Sequence, residues 1–397
     1  MQPPASTLGA APAREAPAAW GAVFALALAA FALVAAEFMP VSLLTPIAGE
    51  LRISEGQAGQ AIAVSGAFAL ATSLAVARLA GRLDRKILLL GLTLMMIVSG
   101  TVAAFAPNFG VFMLGRACIG VAIGGFWSMS AATAMRLVPD HLVPRALAIV
   151  NGGNALATVV AAPAGSWLGA IVGWRGAFFC LVPVAALAFA WKCVSLPPLP
   201  AARGARGGGM VALLRRPAVA YGMAGVSVFF MGQFALFTYL RPFLETVTHA
   251  GVATITGMLL AIGVAGVVGT TCIGALLDRH LYRTLAAIPL AMALLAVLLV
   301  ACGASAAVVA VLLALWGLVA TAAPVGWWTW LARTLPDDAE AGGGLIVAVV
   351  QLAIGLGATL GGVLYDAWGY RATFGLAAVL LVGAAGLAAL AGRAARP

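Results

Sequence analysis

The sequence predicts an all-α integral membrane protein with twelve transmembrane helices in two pseudo-symmetric six-helix bundles. Three observations lead to this fold class: an apolar composition, apolar runs long enough to cross a bilayer, and an internal repeat. Of the 397 residues, 63% are hydrophobic and only 9% are charged, and the mean hydropathy is +1.09. Soluble domains carry roughly 25% charged residues, so water is not the main solvent of this chain.

The apolar runs define the predicted helices. About 20 apolar residues cross roughly 30 Å of hydrocarbon, and runs of this size recur along the chain. Polar breaks separate six spans in the first half, at 20–45, 57–79, 87–106, 110–136, 147–171 and 175–196. Six more follow in the second half, at 219–241, 254–276, 283–303, 305–332, 342–365 and 372–392.

The segments outside the spans set the domain boundaries. Residues 1–18 are rich in Pro and Ala and are expected to form a cytoplasmic tail before an amino-terminal bundle at 19–196. Residues 197–217 are rich in Pro, Gly and Arg, which predicts a flexible, basic cytoplasmic linker. A carboxy-terminal bundle is expected at 218–397. The first apolar run is too long for a signal-peptide core, so we interpret it as an uncleaved span.

The distribution of positive charge predicts the topology. With the amino terminus in the cytoplasm, 17 of the 22 Lys and Arg residues lie in the tails and cytoplasmic connections. Four lie in the opposite connections (Arg52, Arg175, Arg241 and Arg371), and Arg116 lies within a span. This asymmetry predicts a multi-pass membrane protein with both termini cytoplasmic. It also accounts for the net charge of +10, so nucleic acid is not an expected partner.

The five cysteines are scattered in or beside apolar runs and have no CxxC spacing. They predict neither a disulfide framework nor a metal site. Neither a metal nor a cofactor is expected.

An internal repeat appears when the two halves are offset by 196 or 197 residues. GWRGAF at 173–178 matches GYRATF at 369–374, and MRLVPD at 135–140 matches ARTLPD at 332–337. Two further places agree with the same offset. Duplicated six-helix halves are typical of secondary transporters, whose substrate site lies at the midplane between the halves.

Two loop and helix motifs carry a family resemblance. GALLDRHLYR at 274–283 is similar to the loop signature G-x-L-x-D-R-x-x-x-R of the major facilitator superfamily, and GRACIGVAIGG at 115–125 to its fourth-helix signature R-x-x-x-G-x-x-x-G. The resemblance covers nearly the whole chain and implies the major facilitator fold. The first-half loop at 77–86 is degenerate, because Gly81 stands where an acid is expected. The gating-loop residues implied by the resemblance are Arg82, Asp84, Arg85, Asp278, Arg279 and Arg283.

Four further stretches, at 37–60, 124–139, 232–242 and 324–330, resemble the proton-coupled exporters of this superfamily, and most closely those for purine ribonucleosides. The resemblance implies a monomer in the lipid bilayer of the bacterial inner membrane that exports inosine-like nucleosides in exchange for protons by alternating access. The alternative within the superfamily is an exporter of sugars or drugs.

An acid stands inside the first expected span. Glu37 lies 17 residues after Trp20, and a charge at membrane depth costs about 2.5–3.5 kcal/mol on insertion scales. It must therefore find a partner, stay protonated or face a water-filled cavity. Arg116 lies at a depth that differs by only about 3 Å, so we predict a charged pair in which Glu37 carries the coupled proton. The alternative is that Glu37 only stabilises a helix bent by Pro40 and Pro46, which would also free backbone carbonyls.

Aromatic and amide side chains supply the predicted substrate contacts. A purine needs a flat aromatic surface for stacking and amide groups for its ring edge and ribose hydroxyls. The candidates are Phe126, Trp127, Asn151, Asn154, Phe230, Gln233, Phe234, Phe237, Trp327, Trp328 and Gln351. The repeat places Gln233 opposite Glu37, so the second half carries a neutral amide where the first carries an acid. For each aromatic residue the alternative is lipid contact or helix packing.

Three other classes of protein compete with a transporter. A membrane enzyme is not favoured, because His141, His249 and His280 lie in connections and no nucleophile or phosphate-loop motif is present. Two related halves with one buried acid favour alternating access over a channel. A transporter-like sensor that binds a solute without moving it stays open.

Overall fold

The computed structural model describes residues 18–79, 83–200, 213–336 and 338–395, and these form helices joined by short connections. In the first half, here residues 18–200, the helices are α1 (Trp20–Leu51), α2 (Glu55–Leu79), α3 (Arg85–Ala104), α4 (Phe109–Arg136) and α5 (Val143–Ser195). In the second half, residues 213–395, they are α6 (Pro217–Phe237), α7 (Leu240–Thr246), α8 (Val252–Cys272), α9 (Gly274–Cys302), α10 (Ala306–Ala320), α11 (Ala323–Thr334) and α12 (Ala339–Ala394).

The described residues include ten helical stretches that are long and apolar enough to cross a membrane, where the sequence analysis expected twelve. Many large apolar side chains point outward from these helices, and Leu294 and Val311 are each at least 60% exposed. A soluble protein would bury such surface, whereas a bilayer solvates it. The all-helical membrane architecture is confirmed.

The 53-residue helix α5 reverses direction at Gly173. Straight, it would extend about 80 Å, far more than a bilayer core. Instead Gly173 adopts a φ of +74°, which glycine tolerates best. Gly153 packs against Ala27 near the start of α1, and Ser195, beyond the turn, packs against Gly21 at the same end of α1. The helix therefore runs along α1, turns at one residue and returns.

The 56-residue helix α12 repeats this arrangement on α6. Gly369 has a φ of +73°. Gly357 before the turn packs against Met231, and Leu381 after it packs against Gly232, the neighbouring residue of α6. Gly369 follows Gly173 by 196 residues, which is the offset of the sequence repeat.

Each half has its own apolar core. One cluster of buried residues lies wholly between Ala22 and Leu199. Another is formed by second-half residues together with Val41, Ile62 and Ala162 of the first half. These three side chains lie where the halves meet, so the interface is continuous with the core of the second half.

The halves are fastened together near one end of the bundle, called here the Leu51 end because α1 ends there. Within the described residues, the hydrogen bonds that join the halves lie at the level of Glu37 or closer to that end. They link Gln351 to Glu37, Arg241 to Ser42, Thr256 to Ser166, Thr359 to Gln60, and both Ser54 and Gly56 to Asp366.

Candidate functional site

Pro40 creates a binding position for an arginine inside α1. Proline has no N–H group, so the carbonyl of Ala36, four residues earlier, loses its helical donor. Nη1 of Arg116 donates to this carbonyl over 2.8 Å, and Nη2 donates to the carbonyl of Glu37 over 3.2 Å. The segment of α1 around Pro40 thus supplies a buried guanidinium with two acceptors.

Arg116 also bridges α4 to α2. Its Nε donates to the carbonyl of Ala61 over 3.0 Å, and its Nη2 donates to the hydroxyl of Ser65 over 3.1 Å. The side chain is 1% exposed. A buried guanidinium needs hydrogen-bond partners, and here three of its nitrogens are used. Arg116 therefore ties three helices of the first half together.

The glycines of the fourth-helix signature let α4 approach α2 this closely. A Cβ at Gly120 would lie 2.3 Å from the carbonyl oxygen of Ser65, and one at Gly124 would lie 2.1 Å from that of Ala69. Arg116, Gly120 and Gly124 are spaced four residues apart and so share one helix face. The motif works as a unit: the glycines bring the backbones together and the arginine reaches past α2 to α1.

Glu37 faces the second half. Its Oε1 accepts a hydrogen bond from Nε2 of Gln351 on α12 over 3.3 Å, and the side chain is 7% exposed. The expected ion pair is not present: no side-chain nitrogen of Arg116 lies within 4.0 Å of a carboxylate oxygen of Glu37. The physical reason is that the carbonyl freed by Pro40, and its neighbour, take the donors of Arg116.

An aromatic pair lies beside the acid. The ring of Phe38 stacks on Phe234 of α6 with centroids 5.8 Å apart and an interplanar angle of 22°. Phe237 meets Phe234 edge-on at 6.1 Å. Stacked rings with apolar faces are the surface that a planar heterocycle uses.

Two amide oxygens in this region lack a hydrogen-bond partner among the described residues. They are Oε1 of Gln233, one residue before Phe234, and Oε1 of Gln351. A buried unpaired acceptor costs about 1–3 kcal/mol. Together with the Glu37 carboxylate they make the region rich in acceptors, which suits a ligand that donates hydrogen bonds.

We call Glu37, Phe38, Phe234 and Gln351 the central site, because they contact one another in pairs across the boundary between the halves. Of the predicted contact residues, Gln233 and Phe237 flank this group on α6. Phe230 lies one turn earlier on the same helix and is buried.

The tryptophans of α11 lie elsewhere. Trp327 packs inside the second half, 6.5 Å from Phe229 and 6.0 Å from Trp330. Phe230 meets Phe229 edge-on at 5.3 Å. Trp328 faces outward and is 48% exposed. Trp327 and Phe230 are therefore part of the second-half core, and Trp328 is part of the surface.

The candidates on α4 and α5 also lie away from the central site. Phe126 is buried in the first-half core, and Trp127 packs edge-on against it at 5.5 Å. Asn151 is exposed and donates to the carbonyl of Leu147 in its own helix, while Asn154 is half-buried.

The second-half gating loop forms one ion pair. Asp278 accepts a hydrogen bond from Nη2 of Arg333 over 2.8 Å, whereas Arg279 and Arg283 are exposed. The pair joins the start of α9 to the end of α11, so it lies wholly within the second half.

The first-half loop uses its acid differently. Asp84 caps α3 by accepting from the backbone N–H of Lys86 at 2.7 Å, and it also accepts from the N–H of Leu199 at 3.0 Å. The backbone N–H of Arg85 donates to the Leu199 carbonyl. Arg82 lies outside the described residues.

Sequence reasoning missed Lys192. It was counted with the cytoplasmic charges, yet it is 0% exposed, donates to the hydroxyl of Thr93 over 2.9 Å and lies 5.3 Å from the ring centre of Phe126. The signal was available, because Lys192 stands four residues before the end of the expected span 175–196. Arg241 was placed in a connection and is likewise buried.

Comparison with known proteins supports one family. The family model of the Major Facilitator Superfamily matches residues 26–343. The chain is 61% identical over 382 residues to the "Transcription regulatory protein OpdE" of Pseudomonas aeruginosa, covering 95% of each chain. It is 41% identical over 363 residues to the "Purine ribonucleoside efflux pump NepI" of Salmonella typhimurium, covering 91% of each.

Solved structures share the fold. A bacterial homologue of the human lysosomal transporter Spinster superposes with a TM-score of 0.78 at 15% identity, covering 95% of this chain and 98% of that one. A D-xylose–proton symporter superposes with a TM-score of 0.72 at 15% identity, covering 93% and 96%. By its matching family model and its relatives, the chain belongs to the Major Facilitator Superfamily, a family of transporters.

Proposed function

We propose that the protein exports purine ribonucleosides in exchange for protons by alternating access. The observation that carries the proposal is the Glu37–Gln351 hydrogen bond, because it places one titratable group on the boundary between two halves. A solute or a proton bound there touches both halves at once. The 41% identical purine ribonucleoside efflux pump supports the choice of solute.

The topology is part of the proposal. We assign two membrane crossings to each of the long hairpins, α5 and α12, which brings the number of spans to twelve and makes the halves pseudo-symmetric. Both termini are then cytoplasmic, as the distribution of Lys and Arg favours. The Leu51 end faces the outside of the inner membrane.

Proton coupling is proposed to work through Glu37, which only accepts hydrogen bonds when it is ionised and can also donate one when it is protonated. An ionised Glu37 only accepts, so it holds the N–H₂ group of Gln351. A protonated Glu37 also donates, and the acceptor that suits it is the unpaired amide oxygen of Gln351. Protonation would therefore rotate the amide and change what the same side chain offers to a bound solute.

The solute is proposed to bind beside the acid. Its base would stack against the aromatic pair Phe38 and Phe234, and its N–H and ribose hydroxyl groups would donate to the oxygens of Gln233 and Gln351. The other predicted contacts, Phe126, Trp127, Asn151, Asn154, Phe230, Trp327 and Trp328, stay predictions.

The test is uptake of labelled inosine into inside-out membrane vesicles whose lumen is acidified. We expect accumulation that collapses with the pH gradient and is lost in Glu37→Gln. Glu50→Gln removes a carboxylate from the far end of the same helix and is the matched control, with accumulation retained. Accumulation by Glu37→Gln equal to that of the parent would overturn the coupling role. Absence of inosine accumulation, with pH-driven accumulation of labelled arabinose or of a dye in the same vesicles, would favour a sugar or drug exporter.

A second candidate function comes from the name of the 61% identical relative, a transcription regulatory protein. A membrane protein of this fold can alter transcription as a sensor that binds a solute, or by exporting a metabolite that controls a soluble regulator. Comparing the transcriptomes of a deletion strain complemented with the parent or with Glu37→Gln separates the two. Complementation by the transport-deficient variant would favour the sensor.

A further inference from the structure

We propose that Arg241 is a releasable latch between the halves, and that Pro46 exists in α1 to provide its acceptor. Nη1 of Arg241 donates to the backbone carbonyl of Ser42. Ser42 stands four residues before Pro46, so its carbonyl has no helical donor. The inference rests on alternating access but not on the identity of the solute.

Each of the two prolines of α1 frees a carbonyl that accepts from an arginine. One of these hydrogen bonds lies within a half, and the other joins the two halves. The carbonyl freed by Pro40 binds Arg116, which belongs to the same half and can stay bound while the halves rotate. The carbonyl freed by Pro46 binds Arg241 on α7 of the other half. Rigid-body separation of the halves at the Leu51 end must break this second bond and leave the first intact.

Arg241 can release Ser42 without becoming an unpaired buried charge. Its Nε donates to Oε1 of Glu245 over 2.7 Å, one turn further along the same short helix, and this pair moves with the second half. The Ser42 carbonyl would meet water once the Leu51 end opens. A latch with a permanent counter-ion on one side and a neutral acceptor on the other avoids the penalty of separating two buried charges.

The remaining contacts at this end are of the same releasable kind. Asp366 accepts from the hydroxyl of Ser54 over 2.5 Å and from the backbone N–H of Gly56 over 2.9 Å, at the start of α2. These two bonds, and those of Thr256 with Ser166 and of Thr359 with Gln60, are exposed or half-buried, so water can replace them. Arg241 is buried, and its bond is therefore the one expected to limit opening.

The experiment measures opening without any solute. In a variant whose five natural cysteines are replaced, Val41→Cys places a thiol between the halves, where Val41 is 1% exposed. Right-side-out vesicles are treated with a membrane-impermeant maleimide. We expect Pro46→Ala, which returns an N–H to the Ser42 carbonyl, and Arg241→Met each to raise the labelling rate about tenfold, equivalent to about 1.4 kcal/mol.

Pro40→Ala is the matched control, since it makes the same change in the same helix but affects the carbonyl bound within one half. It should leave labelling of Val41→Cys at the parent rate. The double variant Pro46→Ala with Arg241→Met should label no faster than either single variant, because both remove one interaction. Parent-like labelling in both single variants, or equal acceleration by Pro40→Ala, would overturn the latch.

A cross-link keeps the test decisive when a variant inserts poorly. A Cβ at Gly355 would lie 3.4 Å from the Cα of Ala63, across the boundary, so Ala63→Cys with Gly355→Cys can form a disulfide that holds the two halves together. For this arm the reporter is a fluorophore at position 41 in place of the thiol, with quenching by an external ion as the readout. Oxidation should abolish the extra quenching in Arg241→Met. Extra quenching that survives oxidation would mean that Arg241 acts on local packing and would sink the proposal.

Discussion

Gln351 donates its amide N–H to the Glu37 carboxylate across the boundary between the two halves, over 3.3 Å. The two residues are separated by 314 positions in the chain, and both are buried. Hydrogen bonds to charged groups contribute about 1.5–3 kcal/mol to stability. This contact therefore links the protonation state of Glu37 to the relative position of the two bundles.

Replacing Gln351 by Leu removes both the donor to Glu37 and the unpaired acceptor. We expect pH-driven inosine uptake to fall by about tenfold or more, in line with the energy of one charged hydrogen bond. Uptake into acid-loaded inside-out vesicles measures it. Gln60→Leu is the control, because it removes another amide contact between the halves, with Thr359 at 3.0 Å. A loss as large in Gln60→Leu would show that any boundary contact has this effect.

Replacing Arg116 by Lys keeps the charge but not the forked geometry. One ammonium group cannot reach the carbonyls of Ala36 and Ala61 and the hydroxyl of Ser65 together, so buried acceptors lose their donor. We expect a loss of at least about 2 kcal/mol in stability, seen as a lower unfolding temperature in detergent. The exposed pair is the comparison: Arg333→Lys should change stability by less than about 1 kcal/mol. Equal effects would contradict this account of Arg116.

Adding one methyl group at Gly124 should separate α4 from α2. Its Cβ would stand 2.1 Å from the backbone oxygen of Ala69, so the helices must move apart, at a cost of about 1–3 kcal/mol. Reduced yield of folded protein by size-exclusion chromatography measures it. Gly91→Ala is the matched control, since nothing lies within 4 Å of that Cβ. Indistinguishable yields of the two variants would refute the close approach.

Replacing Lys192 by Met should maintain or raise stability. The amine is fully buried with one hydrogen-bond partner, Thr93, and no carboxylate within 4.0 Å among the described residues. Substituting a buried charge with an apolar side chain of similar volume is often neutral or stabilising. Thermal unfolding in detergent tests this, and Lys192→Glu, which buries an acid there, should unfold earlier. A marked loss in Lys192→Met would show that the amine is needed for packing.

The membrane architecture was predictable because it depends on local quantities. The length of each apolar run defines a span, and Glu37 is conspicuous as an acid within the first of these runs. The contact of Glu37 with the second half was not predicted, because the sequence analysis paired this acid with Arg116 of its own half. Gln351 was one of several candidate amides in the sequence. Only the packing of α12 shows that Gln351 is the one that contacts Glu37.

The structure does not form the expected close ion pair between Glu37 and Arg116, for a reason that sequence seldom reveals. The estimate compared the depths of the two charged side chains alone, whereas the deciding acceptors are the backbone carbonyl of Ala36, freed by Pro40, and that of Glu37. Likewise, the clustering of aromatic residues on α4 and α11 was visible in the sequence, but it did not say which neighbours those residues contact. Phe126 and Trp327 consequently lie in the cores of separate halves.

The single-residue turns at Gly173 and Gly369 have a consequence for the surface that the protein offers to its surroundings. A helix that reverses within one glycine leaves almost no chain projecting beyond the bundle. Proteases and antibodies engage extended, exposed segments. At these two corners they find only the blunt ends of packed helices, so the compact turn also shields the molecule.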